Sequence, residues 1–316
     1  MSHIDTSIVE SLRDTHTLPD EALEELLETD DEALLRRLRE AALSVKRSVK
    51  GEEILRRGLI EWSNICRNDC LYCGIRRSRP GLVRYSLSRE QILDCCRRIV
   101  EAGIGTFVLQ GGENPAGALE LVPLVRTLRE RWPRQAITLS LGELPFDTYR
   151  KLKEAGANRY LLRHESANPL HYQQLHPASM HLESRLACLQ ELRRLGFETG
   201  MGMMVGSPGQ TTALLVEDIR LIQSFRPEMI GIGPFIPQAD TPFAQHPAGS
   251  AETTLRLISI LRLMLPEANI PSTTALAVLR GGKEAGLEAG ANVVMPVFTP
   301  ESEKQKYDLY KGKYHV

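Results

Sequence analysis

Short apolar runs alternate with longer segments of helical periodicity along most of the chain. The β-type runs lie at residues 59–62, 106–109, 136–140, 158–162, 197–205, 229–235, 269–274 and 292–295. Between them apolar side chains recur at helical spacing, as at Leu121, Leu124, Val125 and Leu128. Eight strand and helix units predict an α/β fold, a (β/α)8 barrel of the TIM type, with a doubly wound open sheet as the alternative.

Residues 18–50 precede this alternation and have amphipathic helical spacing. Asp20 is placed to cap a helix that contains Leu23, and Asp30 is placed to cap one that contains Leu34. We therefore interpret residues 1–52 as an N-terminal helical extension. Residues 53–316 are then the barrel together with a C-terminal closing segment.

Length and charge favour a globular protein that acts on small molecules. The 316 residues are 42% hydrophobic with a formal net charge of −1, which provides a core but no field that attracts nucleic acid or anionic membranes. The N-terminus is acidic, and no apolar run reaches the ~18 residues of a membrane span. We expect a cytoplasmic monomer without nucleic-acid or membrane partners. Six cysteines are too few for a disulfide framework.

Polar side chains stand where several predicted strands end. They are Gln110 after the second strand, Ser140 at the end of the third, Arg163, His164 and Glu165 after the fourth, and Thr273 and Thr274 at the end of the seventh. The carboxyl ends of barrel strands build the active site in this architecture. These residues are therefore candidates for one common site.

Three cysteines lie within eight residues, directly after the first predicted strand. Cys66, Cys70 and Cys73 have the spacing Cys-x3-Cys-x2-Cys. A 4Fe-4S cluster normally takes four cysteines, so three leave one iron with an open position. Zinc is an alternative, but a structural zinc site takes four ligands and the loop holds no fourth Cys or His. Thiols that are merely buried are disfavoured because the loop is polar.

With this spacing the sequence resembles the radical S-adenosylmethionine (SAM) superfamily. Tyr72 matches the aromatic residue that usually precedes the last cysteine, and Gly111, Gly112 and Glu113 match the GGE segment after the second strand. The resemblance implies one 4Fe-4S cluster with SAM at its open iron. It also implies reductive cleavage of SAM to a 5′-deoxyadenosyl radical, with electrons from a flavodoxin- or ferredoxin-type donor.

Longer stretches resemble the HydE family of FeFe-hydrogenase maturases, from about Arg57 to Tyr310. The likeness is strongest at residues 66–76, 108–113, 138–143, 160–165, 206–211 and 231–237. It implies a part in assembly of the hydrogenase diiron subcluster. The substrate would be a cysteine-derived, organometallic iron precursor made by a partner maturase, and the radical would attack its sulfur.

The resemblance also implies roles for individual residues. Glu113 would bind the amino group of SAM, Arg185 its carboxylate and Glu165 its ribose. Tyr72, Gly111, Gly112 and Ser140 would complete the cofactor site. The substrate set would be Gln110, Thr138, Ser140, Arg159, Arg163, Thr273, Thr274, Met295, Tyr307 and Tyr310. Beside the cysteines, the catalytic candidates are Arg163, which would pair with a substrate carboxylate, and His164, as a proton donor or a wall of the site.

The remaining cysteines and one glycine separate this chain from its relatives. Many relatives carry C-terminal cysteines for a second cluster, but here no cysteine follows Cys188, so we expect one cluster. Cys95, Cys96 and Cys188 fall in helical patterns and are predicted core residues, which disfavours sulfur insertion of the biotin synthase kind. Gly111 stands where relatives have Ser.

Other side chains have less specific interpretations. His171, His176 and His181 are predicted on the surface, and Met201, Met203 and Met204 inside the barrel. The run of Arg76, Arg77, Arg79 and Arg84 would either dock an acidic partner or be solvated. Two functional alternatives are another radical SAM enzyme, such as methylornithine synthase, and a non-catalytic iron-sulfur carrier.

Overall fold

The computed structural model describes residues 7–279 and 282–313. The helices in these ranges are α1 (Ser7–Thr15), α2 (Asp20–Glu28), α3 (Glu32–Lys50), α4 (Arg89–Glu101), α5 (Pro115–Arg131), α6 (Phe146–Glu154), α7 (Pro169–Leu175), α8 (Leu182–Arg194), α9 (Thr212–Phe225), α10 (Ala251–Met264), α11 (Thr274–Val278), α12 (Gly282–Glu288) and α13 (Glu301–Lys304). The strands are β1 (Leu55–Arg56), β2 (Gly58–Ser63), β3 (Thr106–Gly111), β4 (Ala136–Ser140), β5 (Arg159–Leu161), β6 (Glu198–Met201), β7 (Met204–Val205), β8 (Met229–Ile230), β9 (Gly233–Pro234) and β10 (Val293–Val294). Among the described residues, no helix combines the length and the apolar character that a membrane span requires.

A parallel sheet of six strands forms the centre of the fold. Its order is β2-β3-β4-β5-β6-β8, so neighbours in the sheet follow one another along the chain. Leu59 pairs with Val108, and Val108 pairs with Thr138 in the next strand. Every residue of β2 is buried, as expected for a parallel strand that is covered on both faces. All six strands therefore end at one edge of the sheet.

Shorter backbone pairings extend beyond this sheet. β1 pairs with β10 and β7 pairs with β9, while single bridges join Met229 to Asn269 and Pro271 to Val293. The predicted strand at 269–274 forms only these bridges, since Pro271 has no N–H to donate to a ladder. The long runs predicted at 197–205 and 229–235 are each split into two short strands. The first four predicted strands are confirmed, with small shifts at their ends.

The helices of residues 7–50 lie against the later part of the chain. α1 and α3 pack on α10, and α2 packs on α9. Both predicted caps are wrong by one residue. α2 starts at Asp20 itself, with Pro19 in the cap position, and α3 is capped by Asp31, whose Oδ1 accepts from Ala33 N at 2.8 Å.

The main core fills the space between the sheet and the helices. Cys95 and Cys96 on α4 are fully buried in it, and Cys188 on α8 is 5% exposed. Their prediction as core residues is confirmed. Met201 and Met203 also lie in this core. Of the three methionines predicted inside the barrel, Met204 lines the cavity described next.

Candidate active site

A cavity of about 330 Å³ lies at the carboxyl edge of the sheet. Sixteen of the residues predicted from the sequence line it. They are Cys66, Tyr72, Cys73, Gln110, Gly111, Gly112, Glu113, Ser140, Arg163, Glu165, Arg185, Thr273, Thr274, Met295, Tyr307 and Tyr310. Residues that are distant along the chain are thus brought together at the edge that parallel strands share.

The three motif cysteines lie on the loop after β2 and are partly buried. Burial raises the pKa of the Cys73 thiol to about 12, and it raises the pKa of Cys70 well above its ordinary value. Neighbouring motif cysteines raise both values further, Cys66 acting on Cys73 and both of them on Cys70. Thiolates crowded in this way repel one another unless a cation lies between them.

The arginines beside the motif are structural parts of the same loop. Arg76 Nε donates to Asp69 Oδ1 at 2.9 Å, and Arg79 Nη2 pairs with Asp308 Oδ2 at 2.8 Å. Arg84 donates to the backbone carbonyl of Ile75 at 2.8 Å. The solvated interpretation is wrong for Arg76 and Arg79, whose side chains are 11% and 12% exposed, while docking of an acidic partner stays a prediction.

The Gly-Gly-Glu turn after β3 is packed tightly against the cysteine loop. A Cβ at Gly112 would lie 2.8 Å from Cys66 Cβ, so no larger residue fits there without movement. Gly142, after β4, has φ +75°, and a Cβ on it would lie 2.6 Å from Glu113 Cγ. Glycine is thus required at Gly142 by both its backbone conformation and its neighbour.

Glu113 is the centre of a buried ionic network. Its Oε1 accepts from Arg67 Nε at 2.8 Å, and its Oε2 accepts from Glu143 N at 2.8 Å. Arg185 Nη1 lies 3.8 Å from Glu113 Oε2, and Arg185 Nε lies 3.1 Å from Glu143 Oε1. Burial alone would lower the pKa of Arg185, but Tyr172, Glu143 and Glu113 raise it well above its ordinary value. Arg185 therefore remains charged.

A second ion pair stands where β5 ends. Arg163 Nη2 lies 2.9 Å from Glu165 Oε2. Despite this proximity, Arg163 Nε and Nη2 and Glu165 Oε2 are buried without a hydrogen-bond partner in the described part of the chain. Glu165 has φ +69°, a left-handed conformation that costs energy for a non-glycine residue. These groups are placed to bind something that fills the cavity.

An aromatic pair supports the wall next to the cysteines. Tyr72 OH lies 3.2 Å from His176 Nε2, and His176 Nδ1 lies 2.8 Å from the carbonyl oxygen of Tyr172. Both His171 and His176 are 2% exposed, so their predicted surface position is wrong, whereas His181 is exposed as predicted. Burial lowers the pKa of His176 to about 3.

Four predicted site residues do not line the cavity. Arg159 and Thr138 pair in register one layer lower in the sheet, where Arg159 Nε bonds Glu198 Oε2 at 2.6 Å. His164 is fully buried, with Nε2 3.1 Å from Asp218 Oδ1. Its expected part as proton donor or cavity wall is corrected, because its side chain points to Asp218, away from the cavity that Arg163 and Glu165 line. Cys70 is not a lining residue either, although it lies near the other two cysteines.

Two charged lining residues, Glu61 and Lys313, were not predicted from the sequence. Glu61, in the middle of β2, is fully buried, and its Oε1 forms an ion pair with Lys313 Nζ. Lys313 belongs to the closing segment, which we define as residues 306–313. The segment is fastened to the cysteine loop, where Gly74 N donates to the carbonyl of Leu309 at 2.9 Å. A glutamate within the apolar run 59–62 was a signal for Glu61, while nothing marked Lys313.

The cavity fits an iron-sulfur cluster and a nucleotide that carries an amino acid. Across the described ranges, no three His, Cys, Asp or Glu side chains converge as a site for a single metal ion. The fit instead comes from three crowded thiols, the glycine cradle around Glu113, and the polar atoms of Arg163 and Glu165 that lack hydrogen bonds within the residues described. A cationic cluster would remove the repulsion between the thiolates.

Comparisons with known proteins identify the family and the fold. The family model described as "Radical SAM superfamily" matches residues 60–222. The chain is 44% identical to the [FeFe] hydrogenase maturase subunit HydE of Thermotoga maritima over 93% of this chain and 84% of that protein. The crystal structure of methylornithine synthase (PylB) superposes with a TM-score of 0.83 at 28% identity, over 92% of this chain and 85% of that one. The maturase HydG, with a TM-score of 0.81 at 21% identity over 96% and 70% of the two chains, shares the fold.

Proposed function

The chain belongs to the radical SAM superfamily, within its HydE family of FeFe-hydrogenase maturases, and from this premise we propose its reaction and its substrate. It cleaves SAM reductively at a 4Fe-4S cluster and acts in assembly of the hydrogenase diiron subcluster. The observation that carries this proposal is the relative with 44% identity, which extends over 93% of the chain. The cavity supports it, because Cys66 and Cys73 line it together with most of the SAM and substrate residues that the resemblance implies.

Cys66, Cys70 and Cys73 would hold one cluster and leave one iron open to SAM. When bound there, the cluster supplies the electron that splits SAM and produces the 5′-deoxyadenosyl radical. Glu113 would receive the amino group of SAM, and Arg185 would pair with its carboxylate. This assignment is supported by their opposite charges and their separation of 3.8 Å, which suits the two ends of an amino acid.

The protein around these groups orients them and keeps water out. Arg67 and the backbone N–H of Glu143 fix both oxygens of Glu113, so the carboxylate is oriented before SAM arrives. Glu165 would hold the ribose from the opposite side, with its strained backbone held by a bond from its N–H to the Gly202 carbonyl at 3.1 Å. The closing segment covers the cavity, and exclusion of water protects a reactive radical.

The substrate is proposed to be a small cysteine-derived iron compound. Arg163 supports this class because its buried Nε and Nη2 have no hydrogen-bond partner in the residues described, although they lie next to Glu165. A carboxylate is the group that a guanidinium binds with two parallel bonds. Thr273, Thr274, Met295, Tyr307 and Tyr310 complete the wall of this part of the cavity.

Short backbone pairings link the two ends of the parallel sheet. We propose that the pairs β1–β10, Met229–Asn269 and Pro271–Val293 close the parallel sheet into a (β/α)8 barrel, with residues 1–52 as a helical extension and 53–316 as the catalytic domain. The bridges support closure because they connect β8 back to β2 through 269–271 and β10. We also propose that the protein is a monomer. A flavodoxin- or ferredoxin-type donor would supply its electrons, and a partner maturase would supply its substrate.

The test uses anaerobically reconstituted, dithionite-reduced protein. We expect it to convert SAM to 5′-deoxyadenosine, and to support hydrogenase maturation when it is combined with the other maturases. Methylornithine formed from a free amino acid would instead indicate the reaction of the PylB relative. A bound cluster that is transferred to an acceptor protein without any SAM cleavage would indicate a carrier.

A further inference from the structure

Glu61 is a charged residue on the inner face of the sheet that the SAM chemistry leaves without a role. It lies between Ile60 and Trp62 on β2 and is fully buried. Its register neighbour is Gln110 on β3, and the neighbour of Gln110 is Ser140 on β4. All three line the cavity, so they form a polar row across adjacent strands.

Only one of the two carboxylate oxygens of Glu61 has a hydrogen-bond partner among the described residues. Lys313 Nζ binds Oε1 and also donates to the carbonyl of Tyr307 at 3.1 Å. Oε2 is buried without a hydrogen-bond partner among residues 7–279 and 282–313. A buried carboxylate oxygen left without a donor costs free energy, so a donor from a bound molecule would be favourable.

The cavity also holds an opposite charge that a single molecule could use. Arg163 Nε is buried without a hydrogen-bond partner in the described chain, and Nη2 faces Glu165 Oε2 at 2.9 Å without forming a hydrogen bond to it. Glu61 and Arg163 both act on the hydroxyl of Tyr310, Glu61 raising its pKa and Arg163 lowering it, although burial has the larger effect. The carboxylate of Glu61 and the guanidinium of Arg163 are therefore both close enough to Tyr310 to act on it electrostatically, within the same cavity.

We propose that Glu61 Oε2 accepts a hydrogen bond from the amino group of the substrate while Arg163 pairs with its carboxylate, so that Glu61 selects for an amine. The inference rests on the proposed function and adds a specificity-determining residue to its substrate site. The simpler role for Glu61 is to hold Lys313 and thereby the closing segment. The two roles differ in one respect, because a counterion for Lys313 does not distinguish ligands with and without an amine.

A matched pair of ligands tests this difference. S-methyl-L-cysteine and 3-(methylthio)propanoate differ only in the amino group, and calorimetric titration into reconstituted, SAM-loaded protein gives the affinity of each. We expect the unmodified protein to bind the amino acid roughly tenfold more tightly, the size of one charge-assisted hydrogen bond. Glu61→Gln should reduce this ratio to about one, since an amide lacks the charge.

A double variant separates substrate binding from support of the closing segment. Glu61→Gln with Lys313→Met is a neutral pair that leaves no lone buried charge. We expect its ratio to stay near one. A tenfold ratio restored in the double variant would show that Glu61 acts only through Lys313 and would overturn the proposal. An equal affinity for both ligands in the unmodified protein, or no binding of either, would also overturn it.

Two controls complete the design. Glu120→Gln removes an exposed glutamate on α5 and should keep the tenfold ratio. Arg163→Ala should weaken both ligands and leave the ratio in place, because both carry the carboxylate. The formation of 5′-deoxyadenosine, measured without either ligand, reports on the proposed function separately, so a failure of the amine site is not confused with an absence of radical chemistry.

Discussion

The cavity has two sides that differ in how far the protein satisfies its own polar groups. On the side of the cysteine loop, both oxygens of Glu113 accept hydrogen bonds, from Arg67 Nε and from Glu143 N. On the opposite side, Glu61 Oε2 and the buried nitrogens of Arg163 lack a hydrogen-bond partner in the described chain. Glu113 with the cysteine loop is the preorganised side, whose carboxylate is oriented before any ligand arrives. Glu61 and Arg163 mark the other side, which is completed by what it binds.

This difference indicates how one scaffold can serve different reactions. A preorganised side orients a common cofactor and needs little change between relatives. A side with unpartnered donors and acceptors selects a substrate, because a molecule that fails to pair them leaves buried groups unsatisfied. Substitutions on each side test whether SAM binding and substrate binding depend on different residues, as the hydrogen bonding of the two sides suggests.

The largest effect is expected from removing a cluster ligand. Cys70→Ala should lose the cluster absorbance and form no 5′-deoxyadenosine above background, because two thiolates do not hold the cube. Cys96→Ala is the matched control, since it removes a core cysteine on α4 and should retain both signals. Iron content and product formation measure the two variants. SAM cleavage at an unchanged rate in Cys70→Ala would contradict the assignment of the cluster loop.

A smaller loss is expected from neutralising the centre of the preorganised side. Glu113→Gln removes the charged acceptor that the amino group of SAM would bind, and a hydrogen bond to a charged group contributes up to about 3 kcal/mol. SAM should therefore bind roughly 100-fold more weakly. Titration of SAM into the reconstituted protein measures the dissociation constant, with the exposed Glu130→Gln as control. A change of less than about threefold would place the SAM amino group elsewhere.

Removal of the guanidinium on the other side should spare SAM. Arg163→Ala loses a charge-assisted contact of about 2 kcal/mol, so maturation should fall roughly 30-fold while the affinity for SAM is kept. Arg163→Lys keeps the charge but not the paired geometry and should be intermediate. Maturation yield and SAM titration on the same preparations give the two numbers. Equal losses of maturation yield and of SAM affinity would assign Arg163 to the SAM side and contradict the separation of the two sides.

Most of the preorganised side could be predicted from sequence because its parts are local motifs. The cysteine spacing and the Gly-Gly-Glu turn are contiguous, and the resemblance added Arg185 by position. Gly142 was not selected, since its requirement comes from contact with Glu113 and not from a motif of its own. The order of the first strands also followed from alternation of apolar runs alone.

The substrate side was less predictable because it depends on contacts between distant parts of the chain. Lys313 pairs with Glu61 across 252 positions, and no local pattern records such a contact. Thr138 and Arg159 face the side of the sheet that was predicted but lie one layer below the cavity. The alternation of side chains along a strand predicts the face of the sheet on which a residue lies, but not its distance from the end of the strand. His176 was placed on the surface because its burial depends on packing against Tyr172 and Tyr72.

The smallest expected effect concerns pH and the wall behind Tyr72. Burial lowers the pKa of His176 to about 3, whereas an unfolded histidine titrates near pH ~6.5. Between these values the unfolded chain binds one more proton than the folded protein. The contribution of His176 to stability is therefore complete above this window and is lost as the pH falls through it.

This contribution is measurable by difference. On going from pH 7.5 to 5.5 we expect the free energy of unfolding to fall by about 1.4 kcal/mol more in the unmodified protein than in His176→Gln, which cannot titrate. Anaerobic urea unfolding gives the free energy of unfolding of both proteins at both pH values. Subtracting one protein's change from the other's removes the contributions of other titrating groups, such as His171. Parallel pH dependence in the two proteins would mean that His176 is charged in the folded state. The wall beside the cysteines would then be open to solvent protons, and the distinction between a preorganised side and a ligand-completed side would lose its structural basis.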